Sequence, residues 1–124
     1  MLTNAAIATT IPVVDMDRAK AFYKDKLGLK TTNDVPGGTM LEAGEGQRIY
    51  LYQRAPTKAD HTIIGFEVND VETEVKDLRE RGIVFEEYNT PDLKTVNAVA
   101  TIGTWKAAWF KDSEGNILSI NEMK

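Results

Sequence analysis

The chain repeats one pattern of elements, and no other feature of its sequence restricts the fold as much. Residues 11–26, Ile-Pro-Val-Val-Asp-Met-Asp-Arg-Ala-Lys-Ala-Phe-Tyr-Lys-Asp-Lys, pass from an alternating apolar stretch into an amphipathic helical pattern. Residues 66–81, Phe-Glu-Val-Asn-Asp-Val-Glu-Thr-Glu-Val-Lys-Asp-Leu-Arg-Glu-Arg, do the same. Asp15 and Asp70 stand at the two strand-to-helix junctions, where a carboxylate accepts from the free amides of the first turn and meets the positive end of the helix dipole. Met16, Ala19, Phe22, Tyr23 and Leu27 make one apolar helical face, and Val71, Val75 and Leu78 make the other. Gly28 and Gly82 then fall where a left-handed C-terminal residue is commonly needed. Strand-like runs follow at 29–32 and 83–88. Each copy closes with a hairpin, 39–43 into 48–52 around Gly44-Glu45-Gly46, and 107–110 into 117–120 around Asp112-Ser113-Glu114-Gly115-Asn116. Both copies therefore read strand, helix, strand, strand, strand.

The copies differ in one place. The helix-ending glycines keep the spacing of the caps to within one residue, whereas the hairpin glycines Gly46 and Gly115 have drifted by fifteen. The second copy therefore carries an insertion within residues 89–103. Long loops inside compact domains are usually functional or mobile, and the apolar residues of this one suit either a lid or pocket wall that packs against something or a surface loop tucked on the sheet. The expected organisation is one domain over 1–124, with module one at about 5–53, a polar linker at 54–60 and module two at about 61–122.

With 124 residues, the chain can bury roughly two-thirds of its unfolded surface and needs no staple. A formal charge of −4 argues against a nucleic-acid partner, which wants a basic face. The absence of cysteine removes disulfides, thiolate nucleophiles and thiol-based zinc sites. No run approaches the ~20 apolar residues of a membrane span, and the start of the chain lacks the basic and apolar regions of a signal peptide. A cytoplasmic location is the expectation.

Ile11-Pro12-Val13-Val14-Asp15 followed by Arg18-Ala19-Lys20-Ala21-Phe22-Tyr23 and Leu27-Gly28-Leu29, within a duplicated unit, resembles the vicinal-oxygen-chelate superfamily. That group contains glyoxalase I, bleomycin-resistance proteins, extradiol dioxygenases and fosfomycin-resistance enzymes. Gly65-Phe66-Glu67-Val68-Asn69-Asp70-Val71 and 108–118 carry the resemblance through the second copy, and 88–95 is similar to a bacterial glyoxalase/bleomycin-resistance-like subgroup. The resemblance implies an α+β fold of two tandem βαβββ modules, forming a cupped, barrel-like mixed sheet with the helices outside. It also implies a divalent ion held by His and Glu from the first and last strands. The matching positions here are Ala8 and Ile63 for the His, and Tyr50 and Ser119 for the Glu. None supplies an imidazole or carboxylate, so no metal and no cofactor are expected.

Period-two alternation places Thr10 with Ala8, and Arg48 and Tyr52 with Tyr50. It likewise places His61 and Glu67 with Ile63, and Ile117 with Ser119. The opposite parity, Ile11, Val13, Ile49, Leu51, Ile64, Phe66, Val68, Leu118 and Ile120, is apolar and belongs under the helices. Thr10, Arg48, Tyr50, Tyr52, His61, Glu67 and Ser119 are therefore the expected pocket lining, with Trp105 as a stacking residue and Trp109 as core. His61, the single histidine, is read first as a solvated surface ring and otherwise as a hydrogen-bonding partner or general base. Gly44-Glu45-Gly46 lacks the helix of a phosphate loop. The 112–115 segment reads as a turn rather than a calcium loop, and Lys76, Asp77, Arg79, Glu80 and Arg81 read as the solvated side of a helix.

The reading that follows is a protein that binds or sequesters a small organic, aromatic or antibiotic-like ligand, as a homodimer like the bleomycin-resistance branch, with no assigned catalytic residue. The alternatives are a metal-dependent lyase, isomerase or dioxygenase with displaced ligands, using His61 with Glu67 or Glu42, and a metal-free enzyme using His61 or Tyr50 as acid or base.

Overall fold

The computed structural model describes residues 1–58 and 60–123; Ala59, within the expected linker, and Lys124 lie outside the described residues. The chain divides into two compact units, Met1–Thr57 and Lys58–Lys124.

In the first unit, β1 (Ala8–Val13) leads into α1 (Met16–Ala21), followed by β2 (Lys30–Val35), β3 (Gly38–Ala43) and β4 (Gln47–Gln53). The sheet order is β1-β4-β3-β2, with β1 parallel to β4 and the other pairs antiparallel. Alternation along the strands sends Ile11, Val13, Leu41, Ile49 and Leu51 to one face, and all five are buried with Ala19, Phe22 and Tyr23 of the helix. Burial of each large apolar side chain contributes about 1.5–3 kcal/mol, which is why this face is the one the helix covers. Asp15 caps α1 by accepting from the Arg18 amide at 3.1 Å. The helix is shorter than its apolar spacing predicts. After Ala21 it widens into a π turn, Phe22–Lys26, with the Leu27 amide donating to the Phe22 carbonyl at 3.3 Å. That looser winding lets the adjacent Phe22 and Tyr23 both reach the core, edge to face at 5.4 Å, while Leu27 is only half-buried.

On the rim of this sheet the buried Thr39 donates its hydroxyl to Asp34 at 2.6 Å, and Lys20 of α1 pairs with the same carboxylate at 2.9 Å. The Thr39 hydrogen bond, then Lys20, hold the Asp34 carboxyl below its ordinary range.

The second unit contains β5 (Thr62–Glu67), α2 (Val71–Glu80), β6 (Ala100–Ile102), β7 (Trp105–Lys111) and β8 (Ile117–Met123). Its order, β5-β8-β7-β6, repeats that of the first sheet. Asp70 caps α2 through the Thr73 amide at 3.1 Å. The buried Glu122 of β8 accepts from the Val71 amide at 2.8 Å, so the helix start is anchored to the central strand as well. Val71, Val75, Leu78, Ile83, Phe85, Ala108, Phe110, Leu118 and Ile120 form the core.

The expected strand at 83–88 does not form. It makes one bridge, Phe85 to Phe110, and the edge position beside β7 is taken by β6, drawn from the end of the insertion. The insertion is tied down by hydrogen bonds within its own unit. The Tyr88 and Thr95 backbones bond at 2.9 Å, and Glu87 accepts from the Thr95 hydroxyl at 2.6 Å and from the Ala98 amide at 3.1 Å. Ala98 and Ala100 are buried.

The chain is α+β, two βαβββ modules, each an open four-stranded mixed sheet with its helix on one face. No helix among the described residues is long and apolar enough to cross a membrane.

The 112–116 turn uses up its own carboxylate, as the turn reading requires. Asp112 accepts from the Glu114 and Asn116 amides at 2.8 Å each and from the Asn116 side chain at 2.9 Å, with both residues buried. Asp112→Ala should therefore lower unfolding free energy by about 2–3 kcal/mol, because it strands buried donors, and urea denaturation measures this. Because Asp34 is held below its unfolded pKa, its stabilisation is present above that value and fades as pH falls through the folded one. Asp34→Asn should accordingly show a shallower loss of thermal stability below about pH 4 than the parent protein.

Candidate functional site

Each sheet has a second face, turned away from its helix, and there the side chains change character. In the first unit, register sets Thr10 opposite Tyr50, Ala8 opposite Arg48, and Met40 and Glu42 opposite Tyr50 and Arg48. Thr10, Arg48, Tyr50 and Tyr52 thus share one face, as their spacing predicts. The Tyr50 and Tyr52 rings lie stacked at 6.1 Å and 26°. Tyr50 donates its hydroxyl to the Pro36 carbonyl at 3.2 Å and lies across Gly38, where an added Cβ would meet its Cε1 at 2.6 Å and collide with the Leu51 carbonyl. A glycine at this position lets the tyrosine lie flat on the sheet.

In the second unit, the open face carries Gly65 and Glu67 of β5, Ser119 and Asn121 of β8, and Trp105, Ala107 and Trp109 of β7. Ser119 is buried and accepts from the Asn121 amide at 2.9 Å. The absence of a side chain at Gly65 leaves room for that pair: a Cβ there would stand 2.7 Å from Asn121 Nδ2 and 3.0 Å from Ser119 Oγ. Trp105 and Trp109 meet edge to face at 6.2 Å, and Tyr88 meets Trp109 edge to face at 5.5 Å. Burial in this cluster, then the charge of Glu86, pushes the Tyr88 phenol above its ordinary pKa. Glu67, Val68, Asn69, Trp105, Asn121 and Glu122 border a cavity of about 520 Å³.

Two expectations change. His61 does not share the face of Glu67. β5 slips by one residue at Ile63, so that Thr62 faces Ile117 while Ile64 faces Leu118, and a bulge of this kind reverses the parity of everything before it. The His61 side chain is 73% exposed and lies 3.1 Å from Asp60. Trp109, read as core, stands opposite Ser119 on the open face and is half-buried. Tyr88 and Asn121 were missing from the predicted lining. Asn121 follows from the same alternation carried one step beyond Ser119, whereas nothing local marks Tyr88.

The donor set does not fit the divalent ion that the fold family implies. Ala8 and Ile63 have no donor atom, the Tyr50 hydroxyl is bonded to Pro36, and Ser119 is bonded to Asn121. Among the described residues no three His, Cys, Asp or Glu side chains gather as a metal site.

Residues 6–120 match the sequence model of the Glyoxalase/Bleomycin resistance protein/Dioxygenase superfamily, and the chain belongs to that family. It is 28% identical over 131 aligned residues to the uncharacterized protein YurT of Bacillus subtilis (strain 168), covering 92% of this chain and 95% of that one. Its fold is similar to that of TnmS3, an antibiotic binding protein from Streptomyces sp. CB03234, with a TM-score of 0.71, 24% identity and coverage of 100% and 99% of the two chains. It is also similar to lactoylglutathione lyase from Agrobacterium tumefaciens, with a TM-score of 0.68, 21% identity and coverage of 96% and 93%. One fold thus serves both a binding protein and an enzyme, and the distinction rests on the site.

The two close-approach glycines should respond differently to a methyl group. Gly38→Ala opposes a backbone carbonyl and should cost at least about 2 kcal/mol by overpacking. Gly65→Ala opposes the tip of Asn121, which can swing aside, and should cost about 1 kcal/mol. Paired denaturation curves decide the order.

Proposed function

We propose that the protein binds a small planar organic molecule, of aromatic or antibiotic-like character, and holds it without transforming it. The observation that carries this reading is the Trp105–Trp109–Tyr88 cluster beside the Ser119–Asn121 pair. Flat apolar surfaces stack on a ring system while a few polar groups fix its orientation, the usual division of labour in small-molecule sites. The stacked Tyr50 and Tyr52 with Arg48 give the first module a surface of the same type. The residues at the four implied ligand positions, Ala8, Tyr50, Ile63 and Ser119, carry no imidazole or carboxylate, which supports binding over Lewis-acid chemistry. The mostly solvated His61 offers no base to the aromatic face. The antibiotic binding protein of similar fold supports the same reading.

Tryptophan fluorescence titration with a panel of aromatic antibiotics is the direct test. Trp105→Ala and Asn121→Ala should each weaken the ligand that emerges by about 1–2 kcal/mol, roughly five- to thirty-fold in Kd, with unchanged circular dichroism. Unchanged affinity in both variants would refute this assignment of the surface. Chelator-sensitive turnover by protein purified with a stoichiometric divalent metal would refute the binding role itself.

A further inference from the structure

The outer side of α2 and the insertion enclose a second space, away from the aromatic face. Glu72, Val75, Lys76, Arg79 and Glu80 follow one another at spacings of three, one, three and one residues, which makes them a single stripe of the helix. Across from this stripe stand Lys94, Val96, Asn97 and Val99, and the groove between them measures about 930 Å³. It falls within the size range of small-molecule sites.

Two features hold the wall of this groove in place. Asn97 and Ala98 both hold positive φ angles, 52° and 73°, although neither is glycine. The pair forms the two-residue reversal of a small hairpin, in which both central residues take the left-handed region. Here Val96 and Val99 exchange backbone hydrogen bonds at 2.9 and 3.1 Å, and the Ala98 amide donates to Glu87. Arg79 donates to the side-chain Oδ1 of Asn97 at 3.0 Å and also lies 5.8 Å over the Phe85 ring. Arg79 is therefore fixed in place, with donors left over.

The charges indicate what would fit. Lys76, Arg79 and Lys94 face the groove against Glu72 and Glu80, and Glu72 is already paired with Lys106 of β7. The local balance is mildly positive on a chain whose formal charge is −4. That suits a single negative charge better than a phosphate dianion, which the two glutamates would repel. Val75, Val96 and Val99 supply an apolar wall beside the cations. We infer that the groove between α2 and residues 94–101 is a second binding site, for a small organic monoanion such as a carboxylate with an apolar body.

Naphthalene-2-carboxylate is a suitable probe, followed by amide chemical shifts on the full chain. Saturable shifts should appear across 75–80 and 94–101, with the Trp105 and Trp109 indole signals unmoved. The neutral naphthalene-2-carboxamide should bind at least fivefold more weakly, and inorganic phosphate should not compete. Lys76→Gln/Lys94→Gln, which alters two exposed side chains, should weaken the carboxylate at least fivefold while leaving the rest of the spectrum in place. Shifts confined to the indoles, no saturable shift, phosphate competition, or a loss below fivefold for either the amide or the double variant would overturn the site. The indole signals keep this result separate from the aromatic face, whose failure would leave the groove standing.

Discussion

The parallel pairing of each module's first strand with its last is the contact on which the rest depends. A parallel pair cannot be closed by a tight turn, so the chain must cross over, and the crossover here begins with the helix. The last strand is thereby drawn to the interior of the sheet, between the first and third, where both its edges are hydrogen-bonded. Ile49 and Leu51 in β4, and Leu118 and Ile120 in β8, then have only one way to be buried: against the helix that the crossover has already laid on that face. Once that is set, alternation leaves Tyr50 and Tyr52, or Ser119 and Asn121, on the other side.

At the positions where the family resemblance implies metal ligands, Ala8, Tyr50, Ile63 and Ser119, the chain carries no imidazole or carboxylate. Tyr50 and Ser119 occupy seats where the family places a carboxylate, and both spend their hydroxyl locally, on the Pro36 carbonyl and the Asn121 amide. Neutral groups bonded to one another do not create the concentrated negative charge that a divalent ion needs to shed its water. They do leave aromatic surface free to stack, and the glycines at 38 and 65 keep the sheet low enough for the rings and the carboxamide to lie against it.

The insertion alters the second module more than its length suggests. Its final residues, Ala100–Ile102, take the edge of the sheet, and the run after α2 keeps only Phe85 in register with β7. Phe85 is still required, since it packs edge to face on Phe110 at 5.4 Å. The displaced segment then folds back along α2, held by Glu87, Thr95 and the tight turn at Asn97 and Ala98. The charges on this side of the helix become the lining of a groove.

Much of this was written locally. The duplication, the capping aspartates, the glycines after each helix and the alternation in β1, β4 and β8 are features of neighbouring residues, and they sufficed for two βαβββ modules and for most of each open face. The positions that escaped depend on partners far along the chain. A one-residue slip at Ile63 is set by pairing with β8, and it turns His61 away. The edge of β7 is shared, with 100–102 pairing along Trp105–Ala107 and the run at 83–88 touching it only around Trp109 and Phe110. Tyr88 joins the aromatic cluster only because the insertion is anchored as it is. Periodicity fixes the direction of each side chain relative to its own strand, but which strand lies alongside, and in what register, is decided by long-range hydrogen bonds and packing that no local pattern encodes.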